Sequence, residues 1–175
     1  MSKQPPQRVR VTKLQEAQIE AVVAIDLACK QGLHRAGIPE ADLPARGLAG
    51  IAKLTKLHNV LVAEADGTVA GYAAWRDESP GVAYLEELHV KPELQRLGIG
   101  TRLLEAVRED IRAVSLPVLV TRCWTKAAAG RAFLAKAGLE PLGDSNERAS
   151  LWRQEQEAAG ALAKDGQVVL VQPTL

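Results

Sequence analysis

Aromatic residues are scarce: three Trp, two Tyr and one Phe, 3 % of 175 residues. The interior must therefore be aliphatic, and any ring used in chemistry is one of six. Cysteine is scarcer still, with only Cys29 and Cys123, far apart. That excludes a disulfide framework and reads as two reduced thiols in a cytoplasmic protein. Histidine occurs three times, at His34, His58 and His89, with no metal-ligand spacing, so no metal is expected. Charge of either sign is not in excess: 22 Lys and Arg against 21 Asp and Glu give a formal +1. Without a basic stripe, nucleic acid is not an expected partner. No apolar run reaches the ~18–20 residues of a membrane span, so a membrane partner is not expected either. The opening, Met1 to Arg10, is polar with no apolar segment behind it, unlike a secretory signal. Residues 1–8 read as a flexible tail and residues 9–175 as one domain, long enough to bury a core.

What is present is a legible alternation of elements. Val9–Leu14 alternates as a strand. Ile19, Val22, Val23, Leu27 and Leu33 fall at helical spacing until Gly37 and Pro39. Asp42, with Pro44 two residues on, predicts a second helix running towards Lys56. Asn59–Ala65, Thr68–Arg76 and Val82–Val90 read as three consecutive strands, the first two joined by an Asp66-Gly67 hairpin. Pro92 ends the run. A helix then begins near Gly98, with a stripe of Ile99, Leu103, Leu104, Val107, Ile111 and Val114. Leu116–Thr125 predicts a buried strand, Ala127–Ala137 a short helix, Leu139–Leu142 a strand, 144–164 a polar helix and Gln167–Val171 a last strand. Hairpins and crossovers together imply a mixed sheet.

The chemistry concentrates between Tyr84 and Leu104. A strand runs into a Gly-bearing loop and then a helix, where free N–H groups and the helix dipole favour an anion. Gly98 and Gly100 remove Cβ atoms from the approach, and Arg96 and Arg102 add positive charge. The loop is not a P-loop, because no Lys stands between Gly100 and Thr101. Nor is it a dinucleotide fingerprint, because the third Gly is missing.

Gln95-Arg96-Leu97-Gly98-Ile99-Gly100 fits Gln/Arg-x-x-Gly-x-Gly/Ala, and at this point the chain resembles the GNAT family of N-acetyltransferases. The longer string Leu85 to Val107 is similar to that family's acetyl-CoA site, and the resemblance covers about residues 60–142. It implies a mixed α/β GNAT fold with a mostly antiparallel sheet of six to seven strands and four or five helices. It implies acetyl-CoA as co-substrate and a small-molecule or peptide amine as acceptor. By the same resemblance, N–H groups of Arg96, Leu97, Gly98, Ile99, Gly100 and Thr101, with Gln95, would hold the pyrophosphate. The edge of Leu88, His89 and Val90 would pair with the pantetheine arm and polarise the thioester, in a gap where the fourth and fifth strands splay. Dimers are common among similar proteins.

An alkyl ammonium titrates near 10.4 and must lose a proton before attack. Glu86 and Glu87 stand beside the expected thioester, and Tyr84-Leu85-Glu86-Glu87 resembles a stretch of spermidine/spermine-type acetyltransferases. Glu86 is the first candidate base and Glu87 the second, with a cationic amine as acceptor. In a regular strand the two face opposite sides, and a bulge would turn both to one cleft. Many relatives carry a Tyr that reprotonates the coenzyme A thiolate; its position here is Leu134, and the companion Asn position is Ala127. Tyr84, Tyr72, Cys123 or a water are the replacement acids, Tyr84 first. These losses also keep open a non-catalytic acyl-CoA-binding regulatory domain. The polar stretch 144–164 departs from the family pattern, and an exposed Trp152 on it would mark a lid or an interface.

Overall fold

A computed structural model describes residues 6–144 and 146–174. The strands are β1 (Val9–Lys13), β2 (Asn59–Ala65), β3 (Thr68–Ser79), β4 (Val82–Val90), β5 (Val118–Trp124), β6 (Glu140–Pro141) and β7 (Gln167–Pro173). The helices are α1 (Ile19–Arg35), α2 (Leu48–Leu57), α3 (Ile99–Ala113), α4 (Ala128–Lys136) and α5 (Glu147–Ala158). The strands form one mixed, mostly antiparallel sheet in the order β1-β2-β3-β4-β5-β7-β6. β4 and β5 are the parallel pair, in register from Val82–Val118 to Leu85–Thr121. This is the mixed architecture expected from the sequence.

The chain divides into two compact units, one of residues 1–75 and 87–107, the other of 76–86 and 108–175. In the first, β1 pairs with β2 and β2 with β3, both antiparallel. Asp66 and Gly67, both at positive φ, make the hairpin turn. The Asp66 carboxylate also accepts from the N–H groups of Gln7 and Arg8, so these two residues of the expected tail are tied down. Residues 1–5 of that tail lie outside the described residues. Val22, Ile25, Cys29, Ile51, Leu54, Val60, Val62, Tyr72 and Ala74 form the core of this first unit, aliphatic apart from the Cys29 thiol and the Tyr72 ring. Gly71 is required where β3 meets β4: a Cβ there would sit 2.6 Å from the His89 carbonyl oxygen.

α2 begins five residues later than a cap at Asp42 suggests, with Gly47 at the cap position. Leu43 N–H closes a turn on the Pro39 carbonyl, and Arg46 N–H goes to the Asp26 carboxylate, 2.6 Å away. A carboxylate twenty residues back thus takes the N–H that would have bonded the Asp42 carbonyl in a helix capped at Asp42. α1 turns inward the start of its expected stripe, with Val22 buried and Ile19 and Val23 packed against the same core, but that stripe does not continue to Leu27. Leu27 is exposed, whereas Asp26 and Lys30 are buried with Val22, Ile25 and Cys29.

The second unit buries Val82, Tyr84, Val118, Val120, Ala149, Trp152 and Val169 together. Asn146 caps α5, its side chain accepting from Ala149 N–H, and places Ala149 and Trp152 on one buried face. Trp152 is 0 % exposed, so the sign that would have marked a lid or an interface is absent. Arg122 fastens the segment after α5: its guanidinium donates to the carbonyls of Ala161 and Leu162 and to the Gln156 side chain. It also lies over the rings of Tyr84, at 4.8 Å, and Trp152, at 5.6 Å. Val114, placed in the α3 stripe by its spacing, lies one residue past the helix and is exposed.

Candidate active site

The loop before α3 has the form an anion requires. Arg96 and Gly98 are both left-handed, at φ 70° and 84°. The two turns bring the chain round so that the first intrahelical bond runs from Arg102 N–H to the Gly98 carbonyl. The N–H groups of Gly98 to Thr101 precede that bond and lack helical acceptors. No atom lies within 4 Å of where a Gly98 Cβ would be, so the approach is open. Arg96 is exposed beside it. Gln95 turns its side chain back, Nε2 donating to the Val90 carbonyl at 3.0 Å, and so braces the loop against β4. A phosphate fits these donors on charge and on space.

The strand ahead of the loop has two distinct edges. The His89 carbonyl faces Gly71 of β3, and Lys91 N–H donates to the Ala70 carbonyl at 2.8 Å. In a trans peptide the Val90 carbonyl points opposite to Lys91 N–H. The Val90 main chain, and by alternation that of Leu88, therefore faces the edge turned away from β3. The His89 main chain is spent on the β3 side.

The side chains of Glu86 and Glu87 have unlike surroundings. Different cations hold the two carboxylates. Glu87 is buried and meets three cations: Arg46 Nε at 2.9 Å, Lys30 Nζ at 3.3 Å and the His89 ring Nε2 at 2.7 Å. Burial opposes its ionisation, yet the His89 hydrogen bond and the charges of His89, Lys30 and Arg46 hold its carboxyl far below the usual range. His89 is shifted the other way. Burial opposes its charge, but hydrogen bonds with Cys29 and Glu87 and the Glu87 charge push it up to about 10. Lys30 Nζ is also 2.7 Å from Asp26 Oδ1, and the Tyr72 hydroxyl donates to the same oxygen at 2.8 Å. Ligand atoms of Asp26, Glu87 and His89 lie within 4.8 Å of one another. The Lys30 ammonium already supplies the cation that Asp26 and Glu87 need, which makes this an ion-pair cluster rather than a metal cage.

Glu86 belongs to a second and more open group. Arg76 donates to Glu86 Oε2 at 3.0 Å and to Glu78 Oε2 at 2.6 Å, and stacks over the Tyr84 ring at 5.0 Å. The Glu86 side chain is 25 % exposed, against 8 % for Glu87. Tyr84 is held between the Arg76 and Arg122 guanidinium groups, and burial pushes its hydroxyl up to about 12. Tyr72 is fully buried and raised well above its ordinary value by burial and the nearby Glu87 and Asp26 charges. Cys123 is buried, and its thiol is raised for that reason. Leu134 is buried in α4 at the family's Tyr position. His34 binds the Leu43 carbonyl at 2.8 Å, between the end of α1 and the loop to α2.

Asp26, Lys30, Arg46 and Cys29 did not stand out in the sequence. A faint signal was there: Asp26 and Lys30 are four apart, and Cys29 joins them on a helix whose other buried positions are apolar. Charged pairs at that spacing usually lie on a solvated face, which hides a buried one.

The profile of the acetyltransferase (GNAT) family matches residues 24–139. No sequence among the curated proteins matches the chain. Among solved structures, the PaiA N-acetyltransferase of Thermoplasma acidophilum, in complex with coenzyme A, is similar at TM-score 0.75 and 14 % identity. The similarity covers 95 % of this chain and 99 % of that one. A ribosomal-protein-alanine N-acetyltransferase from Brucella melitensis is similar at TM-score 0.68 and 22 % identity, over 94 % of this chain and 99 % of that one. The ribosomal-protein-S18-alanine N-acetyltransferase of Escherichia coli is similar at 0.67 and 16 %, over 95 % and 94 %. With more than half of its length matched by the family profile and with the loop that profile spans in place, the chain belongs to the GNAT family of acetyltransferases.

Proposed function

We propose that this protein transfers an acetyl group from acetyl-CoA to the primary amine of a small cationic or peptidic acceptor, by direct attack. The observation that carries the reading is the loop from Gln95 to Thr101, with two left-handed residues and unpaired N–H groups at the start of α3. Those groups hold the pyrophosphate. The Leu88 and Val90 main chain, on the edge of β4 away from β3, pairs with the pantetheine arm and directs an N–H at the thioester oxygen. His89 joins this edge only through its neighbours, because its own carbonyl faces Gly71.

Glu86 is the base. Its carboxylate is accessible, and it takes the ammonium proton directly or through a water. Glu87, held by three cations, has little basicity to offer and orders the residues around it instead. The acceptor class is supported by the accessible carboxylate of Glu86 and, for a peptide N-terminus, by the two similar ribosomal-protein-alanine acetyltransferases.

The test is thiol release from acetyl-CoA across polyamines, amino acids and alanine-initiated peptides, with Glu86→Gln as the control variant. Turnover on one class, lowered about a hundredfold in Glu86→Gln with a changed pH–rate profile, is expected. A pH profile identical to wild type removes Glu86 from the mechanism. Tight acetyl-CoA binding with no turnover on any amine favours a regulatory acyl-CoA-binding domain, a reading that the buried Leu134 keeps in play.

A further inference from the structure

The candidate base Glu86 is accessible, yet it already carries a cation. Arg76 Nη1 donates to its Oε2 at 3.0 Å, and a carboxylate paired with a guanidinium is a weakened base. The same guanidinium has another partner. Arg76 Nε donates to Glu78 Oε2 at 2.6 Å, the shorter of these two contacts. Arg76 and Glu78 are two apart on β3, and Tyr84 and Glu86 are two apart on β4. Alternation therefore sets each pair on one face of its strand, and the two strands are neighbours in the sheet. The Glu78 side chain is 12 % exposed and that of Glu86 25 %, so solvent reaches the Glu86 end and the guanidinium is anchored at the other. The Tyr84 ring lies against the guanidinium, 5.0 Å away, a face over which a planar cation shifts without losing its contact. Arg122 meets the same ring from 4.8 Å but is engaged with the carbonyls of Ala161 and Leu162 and the Gln156 side chain.

We propose that Arg76 is a specificity-determining residue: it holds the place on Glu86 that the acceptor's ammonium takes, and Glu78 is the positioning residue that keeps the displaced guanidinium. The inference rests on the function proposed above. The exchange is cation for cation, so Glu86 is never left without counter-charge, and Arg76 stays bonded to Glu78. A neutral group gains nothing by it, because a guanidinium yields a carboxylate only to a donor of comparable strength. The acceptor is thereby selected for its charge before its proton is removed. Once Arg76 has withdrawn, Glu86 is the more basic for losing a contact cation. The ammonium N–H bond breaks, its proton goes to the Glu86 carboxylate, and the nitrogen keeps the electron pair for attack on the thioester carbon.

Calorimetric binding of spermidine and of an alanine-initiated peptide, with coenzyme A present, tests the inference without requiring turnover. Arg76→Gln is expected to bind whichever amine binds better about fivefold more tightly than wild type, and Glu78→Gln about fivefold more weakly. Arg10→Gln, which removes the same charge from an exposed position on β1, leaves Kd as it is.

The decisive comparison is between backgrounds. In an Arg76→Gln background, Glu78→Gln changes Kd by less than about twofold, because Glu78 acts by holding Arg76. In a Glu86→Gln background, Arg76→Gln brings no gain. A merely structural role for the pair lowers affinity in every variant, and a general field effect makes Glu78→Gln equally costly in both backgrounds. Either pattern overturns the proposal, as does the absence of a gain in Arg76→Gln, or a wild type and an Arg76→Gln variant that bind neither amine. The expected binding pattern with no thiol released from acetyl-CoA overturns the catalytic reading instead, so the two failures are told apart.

Discussion

Glu86 and Glu87 are neighbours in sequence, identical in chemistry, and one residue apart on the same strand. Glu87 is built into a buried lattice of α1, the loop before α2 and β4, and every cation it meets is the chain's own. Glu86 shares one guanidinium with Glu78 and keeps a quarter of its side chain in solvent. A carboxylate with all its counter-charges bound is an architectural part. One with access to water can exchange protons with a visitor. Strand alternation alone produces this division of labour, because successive side chains face different surroundings.

The contrast can be broken in order of size. Glu87→Ala takes from Lys30, Arg46 and His89 the carboxylate they share and should cost about 3–5 kcal/mol of stability in urea unfolding. Glu86→Gln should alter stability by less than about 1 kcal/mol, while lowering kcat far more than Glu87→Gln does after correction for folded fraction. The tyrosines extend the comparison. Tyr72→Phe removes a donor from a buried carboxylate and should cost about 1.5–3 kcal/mol, whereas Tyr84→Phe loses only a contact with Arg122, about 1 kcal/mol. A smaller effect is expected from pH. His89 is raised in the folded protein, so its contribution is complete below about pH 6.5 and fades as pH rises through about 10. The melting temperature should fall over that window by at least about 2–4 °C, and His89→Gln should flatten the slope. An equal slope in the variant would remove His89 from the account.

Local order was legible in the sequence wherever it was locally caused. β4 spans Val82–Val90, as its alternation and its flanking Gly81 and Pro92 imply. The Asp66-Gly67 turn is there because both residues accept positive φ. The Gln95–Gly100 loop was readable because its glycines and its place between strand and helix are local facts. Long-range causes were not readable. Nothing near Arg46 shows that its N–H goes to Asp26, yet that bond delays α2. Leu27 fits the apolar spacing of α1 as well as Ile25 does, and only the packing of the sheet decides which turns inward. Trp152 lies among charged residues, and its burial depends on Tyr84, Val120 and Val169, distant in the chain. The Lys30–Glu87 pair joins residues 57 positions apart, a relation that spacing never displays.

The fastening of the segment after α5 has a consequence of a different kind. Its two carbonyls, at Ala161 and Leu162, and the Gln156 amide all converge on one guanidinium, that of Arg122. The polar attachment is thus gathered at one point, and Leu162 packs against the core beside it. A segment held in this way can be exchanged between Ala158 and Asp165 so long as both fastenings are kept. For an engineer this stretch is a socket, where a new loop needs two carbonyls for the guanidinium and one apolar side chain in the place of Leu162.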